Sequence, residues 1–150
     1  MIHAADYLRY FDQYLDQLAN DLRSYPAEDT LWLQPPGINN SAGNLALHLL
    51  GNLNHFIGAA LGDTGYIRER DLEFGRKGVP RAEVLTWLEQ TKSMIHQTLQ
   101  GLDTLDAPYP SGYFPTEETL VHQLNRLLAH LAYHTGQVNY HRRLLAPDTV

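Results

Sequence analysis

Hydrophobic residues recur at three- and four-residue steps in four separate stretches of the chain. Leu8, Phe11, Leu15, Leu18 and Leu22 form the first stripe, and the Ser24-Tyr25-Pro26 run ends it. The second stripe is Leu45, Leu49, Leu53, Phe56 and Ala60. It is opened by the N-cap residues Asn39, Asn40 and Ser41 and closed by Gly62. Pro80, suited to a first helical turn, and Glu83 open the third. Its stripe is Val84, Leu88, Ile95, Leu99 and Leu102, and Gly101 and Asp103 mark its end. The fourth starts after Pro115, with Thr116 as cap and Glu117 and Glu118 matched to the helix dipole. It runs through Leu120, Leu124, Leu127, Leu131, Val138 and Leu145 before Pro147.

Four such stripes predict four amphipathic helices, each burying one face. The expectation is an all-α protein, a four-helix bundle in which residues 1–150 make one domain. No segment alternates with period two, and only the linker at 107–115 could close as a short hairpin. The connection between helices two and three, Asp63 to Val79, is long for an up-down bundle. It implies either a crossover or a functional loop.

Composition narrows the function classes. At 43% hydrophobic and 19% charged residues the chain has enough apolar surface for one sizeable core. Its net charge of −6 and the lack of any basic run argue against nucleic acid as a partner. The absence of cysteine excludes disulfides, thiolate ligands and a cysteine nucleophile, so a metal site must use His, Asp or Glu. The start, MIHAADYLRYFDQ, lacks the apolar core of a signal peptide, and the apolar runs are too short to span a membrane. Cytoplasmic placement is the default expectation.

The stretch LLAHLAYHTGQ, Leu127 to Gln137, carries two histidines inside a leucine-rich helix. At about 100° per residue, His130 and His134 lie about 40° apart, on one face. His48 sits at the edge of the second stripe, so three imidazoles from two helices can converge inside the bundle. Three neutral imidazoles leave positions open on Zn²⁺, Ni²⁺ or Fe²⁺, the arrangement of a catalytic site. The competing reading is that each is a hydrogen-bonded packing histidine. Leu131 stands where HExxH metalloproteases need their glutamate, and the paired Glu-x-x-His motifs of di-iron bundles are missing. His55 and His141 each lie seven residues beyond a candidate ligand, as a fourth ligand, a supporting group or a solvent-facing residue. His3, His96 and His122 read as surface.

Three segments together, GINNSAGNLALHLLGNLNHFIGAALG, YIRERDLEF and LLAHLAYHTGQVNYHRRLL, resemble the DinB-like superfamily, which includes the YfiT-type metalloenzymes. The resemblance covers nearly the whole chain. Its most specific elements are NLxxH at Asn44 to His48 and HLxxHxGQ at His130 to Gln137. It implies a four-helix bundle in which His48, His130 and His134 hold a divalent metal. It also implies a homodimer paired through its helices. Characterised relatives are thiol S-transferases using bacillithiol, mycothiol or glutathione, and many members have no known reaction. A metal-dependent transferase that activates a low-molecular-weight thiol for attack on small electrophiles is therefore the leading expectation. The alternatives are a non-catalytic metal-binding or sensing bundle and an interaction protein with a dimer face. Asn44 and Gln137, each one turn from a candidate ligand, are candidates to orient an imidazole or meet substrate, or simply a helix-start residue and a surface amide. In the loop, Arg68, Arg70, Asp71 and Glu73 with Tyr66 and Phe74 could close over the pocket, the arginines meeting a carboxylate. The simpler reading is a salt-bridged loop over one end of the bundle. Tyr133 and Tyr140 read as packing or interface residues.

Overall fold

The computed structural model describes residues 3–114 and 117–145. Among these residues the fold is all-α, with no strand and one isolated antiparallel bridge between Pro108 and Thr119. Helix α1 spans Ala4–Arg23, and a 3₁₀ turn follows at Glu28–Trp32. Helix α2 spans Ala42–Leu53, and its rod continues through a π turn, Asn54–Ala59, into a last α turn, Ala60–Gly62. Helix α3 is short, Arg70–Gly75, and lies within the long connection; α4 spans Arg81–Gln100 and α5 Leu120–Leu145.

The five apolar residues predicted for α1 are all buried. Helix α2 is buried along its full α-helical length, so it occupies the centre of the fold. Of its three candidate caps Ser41 serves, its hydroxyl accepting the Asn44 N–H at 3.2 Å. The predicted stripe is altered at one point: Ile57, not Phe56, follows Leu49 and Leu53 into the core. The wider π turn favours a four-residue step over a three-residue one. Gly62 does end this rod, but the left-handed residue is Asp63, with φ of 47°. Gly62 is needed for close approach instead, because a Cβ there would lie 2.5 Å from Thr98 Oγ1 on α4.

Pro80 precedes α4 and caps it with its carbonyl, which accepts from Glu83 and Val84 at 2.9 and 3.2 Å. Thr91 and Thr98 fill the gaps in its leucine stripe. The last linker closes much as a hairpin does: Tyr109 N–H donates to the Glu118 carbonyl at 2.7 Å, and Leu120 N–H to Ala107 at 3.0 Å. This pairing sets the start of α5. Thr119 is its cap, its hydroxyl accepting from His122 N–H at 3.2 Å. The predicted cap, Thr116, lies outside the described residues.

Helix α1 packs on α4 and α5, while α2 packs on α3, α4 and α5. Leu15, Leu49, Leu53, Leu88, Leu99, Leu124 and Leu131 are fully enclosed between them. Polar ties cross the α1–α5 seam. The buried Asp21 carboxylate accepts from Arg142 Nε at 3.0 Å and Asn139 at 2.8 Å, and Tyr7 Oη donates to Asn125 at 2.8 Å. Among the described residues no helix is long and apolar enough to cross a membrane.

Because Thr119 satisfies an otherwise open N–H of α5, Thr119→Ala should lower stability by about 1 kcal/mol. Urea denaturation followed by circular dichroism measures this, and an unchanged midpoint would refute the capping role.

Candidate metal site

His48 projects from the central helix α2, and His130 and His134 from successive turns of α5. Their rings stand edge-on to one another, with centroids 4.9 Å apart for His48–His130, 5.2 Å for His48–His134 and 4.5 Å for His130–His134. One ring nitrogen from each lies within 4.8 Å of the other two. Donors at about 2.0–2.1 Å around a tetrahedral ion stand about 3.4 Å apart, so this cluster could hold a metal ion after small adjustments.

Hydrogen bonds orient two of the rings. His48 Nδ1 lies 2.9 Å from Glu73 Oε2. An ionised carboxylate only accepts, so Nδ1 carries the proton and Nε2 turns its lone pair to the cluster. His134 Nδ1 lies 2.6 Å from the Gln137 side-chain oxygen, and Nε2 is again the nitrogen left free. His48 Nε2 and His130 Nε2 are 3.0 Å apart. Two lone pairs at that distance repel unless a proton or a cation lies between them. His130 Nδ1 is buried and has no partner among the described residues. Burial, together with the charges of His134, His48, Arg68 and Arg126, pushes the pKa of His130 down to about 4. Burial also lowers His134, against the opposing hydrogen bond it donates to Gln137.

Glu73 arrives from the long connection. Helix α3 lies on α2, and Arg68 grips the Glu73 carboxylate in a fork, Nε to Oε1 at 2.7 Å and Nη2 to Oε2 at 3.0 Å. Burial alone would raise this carboxyl, but the hydrogen bonds from His48 and Arg68 and the Arg68 charge leave it below its ordinary value. The carboxylate rests against Gly51, where a Cβ would sit 2.0 Å from Glu73 Oε1. Asn44 holds the segment from behind: its amide donates to the carbonyls of Glu73 at 2.9 Å and Arg76 at 2.8 Å. Its side-chain oxygen accepts from Ser41 at 2.7 Å and from Lys77.

The other predicted residues divide. Arg68 and Gln137 are joined to the histidines, whereas Asn44 acts on them only through the backbone of Glu73. Arg70 stacks over Phe74 at 5.3 Å, and Phe74 lies 4.8 Å from the His48 ring. His55 stays outside the cluster, its ring against Phe56 and Tyr113, with burial and Arg68 lowering its pKa against Glu73. His141 is a brace: Nε2–H donates to the Leu33 carbonyl at 3.0 Å and Nδ1 accepts from Tyr25 Oη at 2.6 Å. Tyr133 and Tyr140 are exposed. His3 and His122 are exposed as expected, while His96 is partly covered and meets Asp12 at 2.9 Å. The sequence places Glu73 in a loop that closes over the pocket or is salt-bridged over one end of the bundle. The Arg68–Glu73 pair is there, but the bond to His48 is not visible in the sequence. Gly51, three residues beyond His48 in a leucine-rich helix, was the available sign of a close approach.

A cavity of about 480 Å³ adjoins His134 and Gln137, lined by Pro35, Ile38, Asn39, Leu45, Tyr133, Tyr140 and Leu144 among others. A second, of about 350 Å³, lies between α2, α3 and α4 and reaches Glu73 past Tyr66, Leu72 and Trp87.

The chain belongs to the family described as "Protein of unknown function (DUF1572)", which matches residues 3–149. No curated protein and no solved structure matches it.

Adding a methyl group at Gly51 should expel the Glu73 carboxylate. Gly51→Ala is expected to cost about 1–3 kcal/mol, the penalty for a buried donor left unpaired. It should also remove the downfield Nδ1–H proton signal of His48. Wild-type stability with that signal intact would show that Glu73 does not pack there.

Proposed function

We propose that this chain is a metal-dependent transferase of small molecules, built on the DinB-like four-helix bundle as one domain. In this reading His48, His130 and His134 hold one divalent ion, Zn²⁺, Ni²⁺ or Fe²⁺. The observation that carries it is the convergence of three imidazoles within 4.8 Å, two of them oriented by Nδ1 partners. Isolated packing histidines have no need of such an arrangement, whereas supported imidazoles of this kind recur at metal centres.

An ion in this place supplies Lewis acidity that lowers the pKa of a thiol from its ordinary value of about 8.5. The rest is done by the chain. Glu73 and Gln137 fix the tautomers of His48 and His134, and the low pKa of His130 keeps that ring unprotonated at neutral pH. Phe74 against His48 keeps water from that side of the cluster. The cavity beside His134 receives the electrophile, its walls of Ile38, Leu45 and Tyr140 suiting an apolar or aromatic compound. In the reaction the thiol loses its proton to solvent and its sulfur forms the new bond to carbon. With an alkyl halide the carbon–halogen bond breaks and halide departs; with an activated alkene the adjacent carbon takes up a proton from solvent. Bacillithiol, mycothiol and glutathione are the thiol types that the DinB-like likeness suggests, and the lack of cysteine agrees with a borrowed thiol. A homodimer paired through its helices is what the DinB-like likeness suggests.

Protein purified without a histidine tag should contain about one divalent ion per chain by elemental analysis. His130→Ala should abolish that content while leaving the circular dichroism of a helical protein. Glu73→Gln and Gln137→Leu should weaken affinity about 10–100-fold. Full metal content in His130→Ala would sink the ligand assignment. Metal binding without conjugation of any of the three thiols to model electrophiles would favour a non-catalytic metal-binding protein.

A further inference from the structure

We propose that Arg126 and Arg70 form an anion-binding subsite beside the three histidines, so that the thiol taken by this site is one that carries a carboxylate. The inference rests on the metal-site reading and names the substrate class of that site.

Arg126 lies one turn before His130, and residues 126, 130 and 134 follow in four-residue steps along one edge of α5. Its guanidinium lies 4.9 Å over the Phe114 ring, and Phe114 is stacked 4.7 Å from Phe56. Arg70 likewise lies 5.3 Å over an aromatic ring, that of Phe74, which is 4.8 Å from the ring of His48. Both arginines are exposed, and neither meets a carboxylate among the described residues. The contrast with Arg68, Arg81 and Arg142, paired with Glu73, Glu28 and Asp21, is direct. A guanidinium held over a ring by cation–π attraction still has N–H donors to offer an acceptor.

Of the acids on this side of the cluster, Glu73 is neutralised by Arg68. Glu69 and Asp71 flank Arg70 in sequence and offset its charge, which leaves Arg126 the larger share. In a chain of net charge −6, which repels anions at large, local cations decide what approaches. At the opposite end of the cluster, the cavity beside His134 has no Lys, Arg, Asp or Glu among its described lining residues. The two ends therefore sort a charged reactant from an uncharged one.

The test uses the full chain loaded with Co²⁺, whose absorption reports a bound thiol. Mercaptosuccinate should bind at least about tenfold more tightly than thioglycerol, a neutral thiol of similar size, equivalent to about 1.4 kcal/mol. Arg126→Gln should remove most of that preference while cobalt content is unchanged. Equal affinity for the two thiols, or a preference that survives Arg126→Gln, would overturn the subsite. If the chain takes no cobalt, the metal reading fails by itself. Calorimetry with succinate on the metal-free protein then decides the subsite: binding lost in Arg126→Gln supports it, and no binding overturns it.

Discussion

The carboxylate of Glu73, held between Arg68 and His48 and pressed against Gly51, is the interaction on which the site depends. A buried carboxylate is costly unless its charge is matched and its lone pairs are filled. Here a guanidinium fork fills one side and an imidazole N–H takes up the rest. A six-residue helix such as α3 has no stability of its own, so Arg70–Gly75 exists because it is fastened to α2. Asn44 fastens its end and Glu73 its middle. The same contacts that hold the loop thus set the direction of His48.

The three histidines are supported unequally. His48 and His134 each give Nδ1–H to a fixed acceptor, one charged and one neutral. His130 has no such partner among the described residues and is held by packing between the other two rings. Its depressed pKa follows from that enclosure and from the arginines nearby. The surroundings are also uneven along α5. Toward its start lie aromatic rings bearing arginines, and toward its end lies an apolar cavity, so a ligand spanning the cluster meets opposite chemistries at its two ends.

Much of this was legible in the residue pattern. The stripes of Leu, Val and Phe located the four long helices, because a 3.6-residue period requires one face to be buried whatever the neighbours are. The i,i+4 spacing of His130 and His134 put both on one face for the same geometric reason. Gln137 and Asn44 were visible as polar residues one turn from a histidine, yet their roles differ. Gln137 reaches its histidine along one helix, a local relation that spacing determines. Asn44 lies one turn from His48 but bonds to the backbone of a different segment. Nothing local to residues 41–48 could show that.

What the sequence by itself determined is therefore the four long helices, most of the faces they bury and the pair of imidazoles on α5, all consequences of covalent spacing. Tertiary structure decided the rest. It turned His141 to Tyr25 and Leu33, left His55 among aromatic rings, and brought Glu73 to His48. It also shifted the core register to Ile57 through a π turn. These outcomes depend on which distant surfaces meet. Residues that read alike along the chain, a histidine seven places on or a glutamate in a charged loop, acquire different partners once the helices pack. The physical reason is that hydrogen bonding and desolvation act over a few ångströms of space, whatever the separation in sequence.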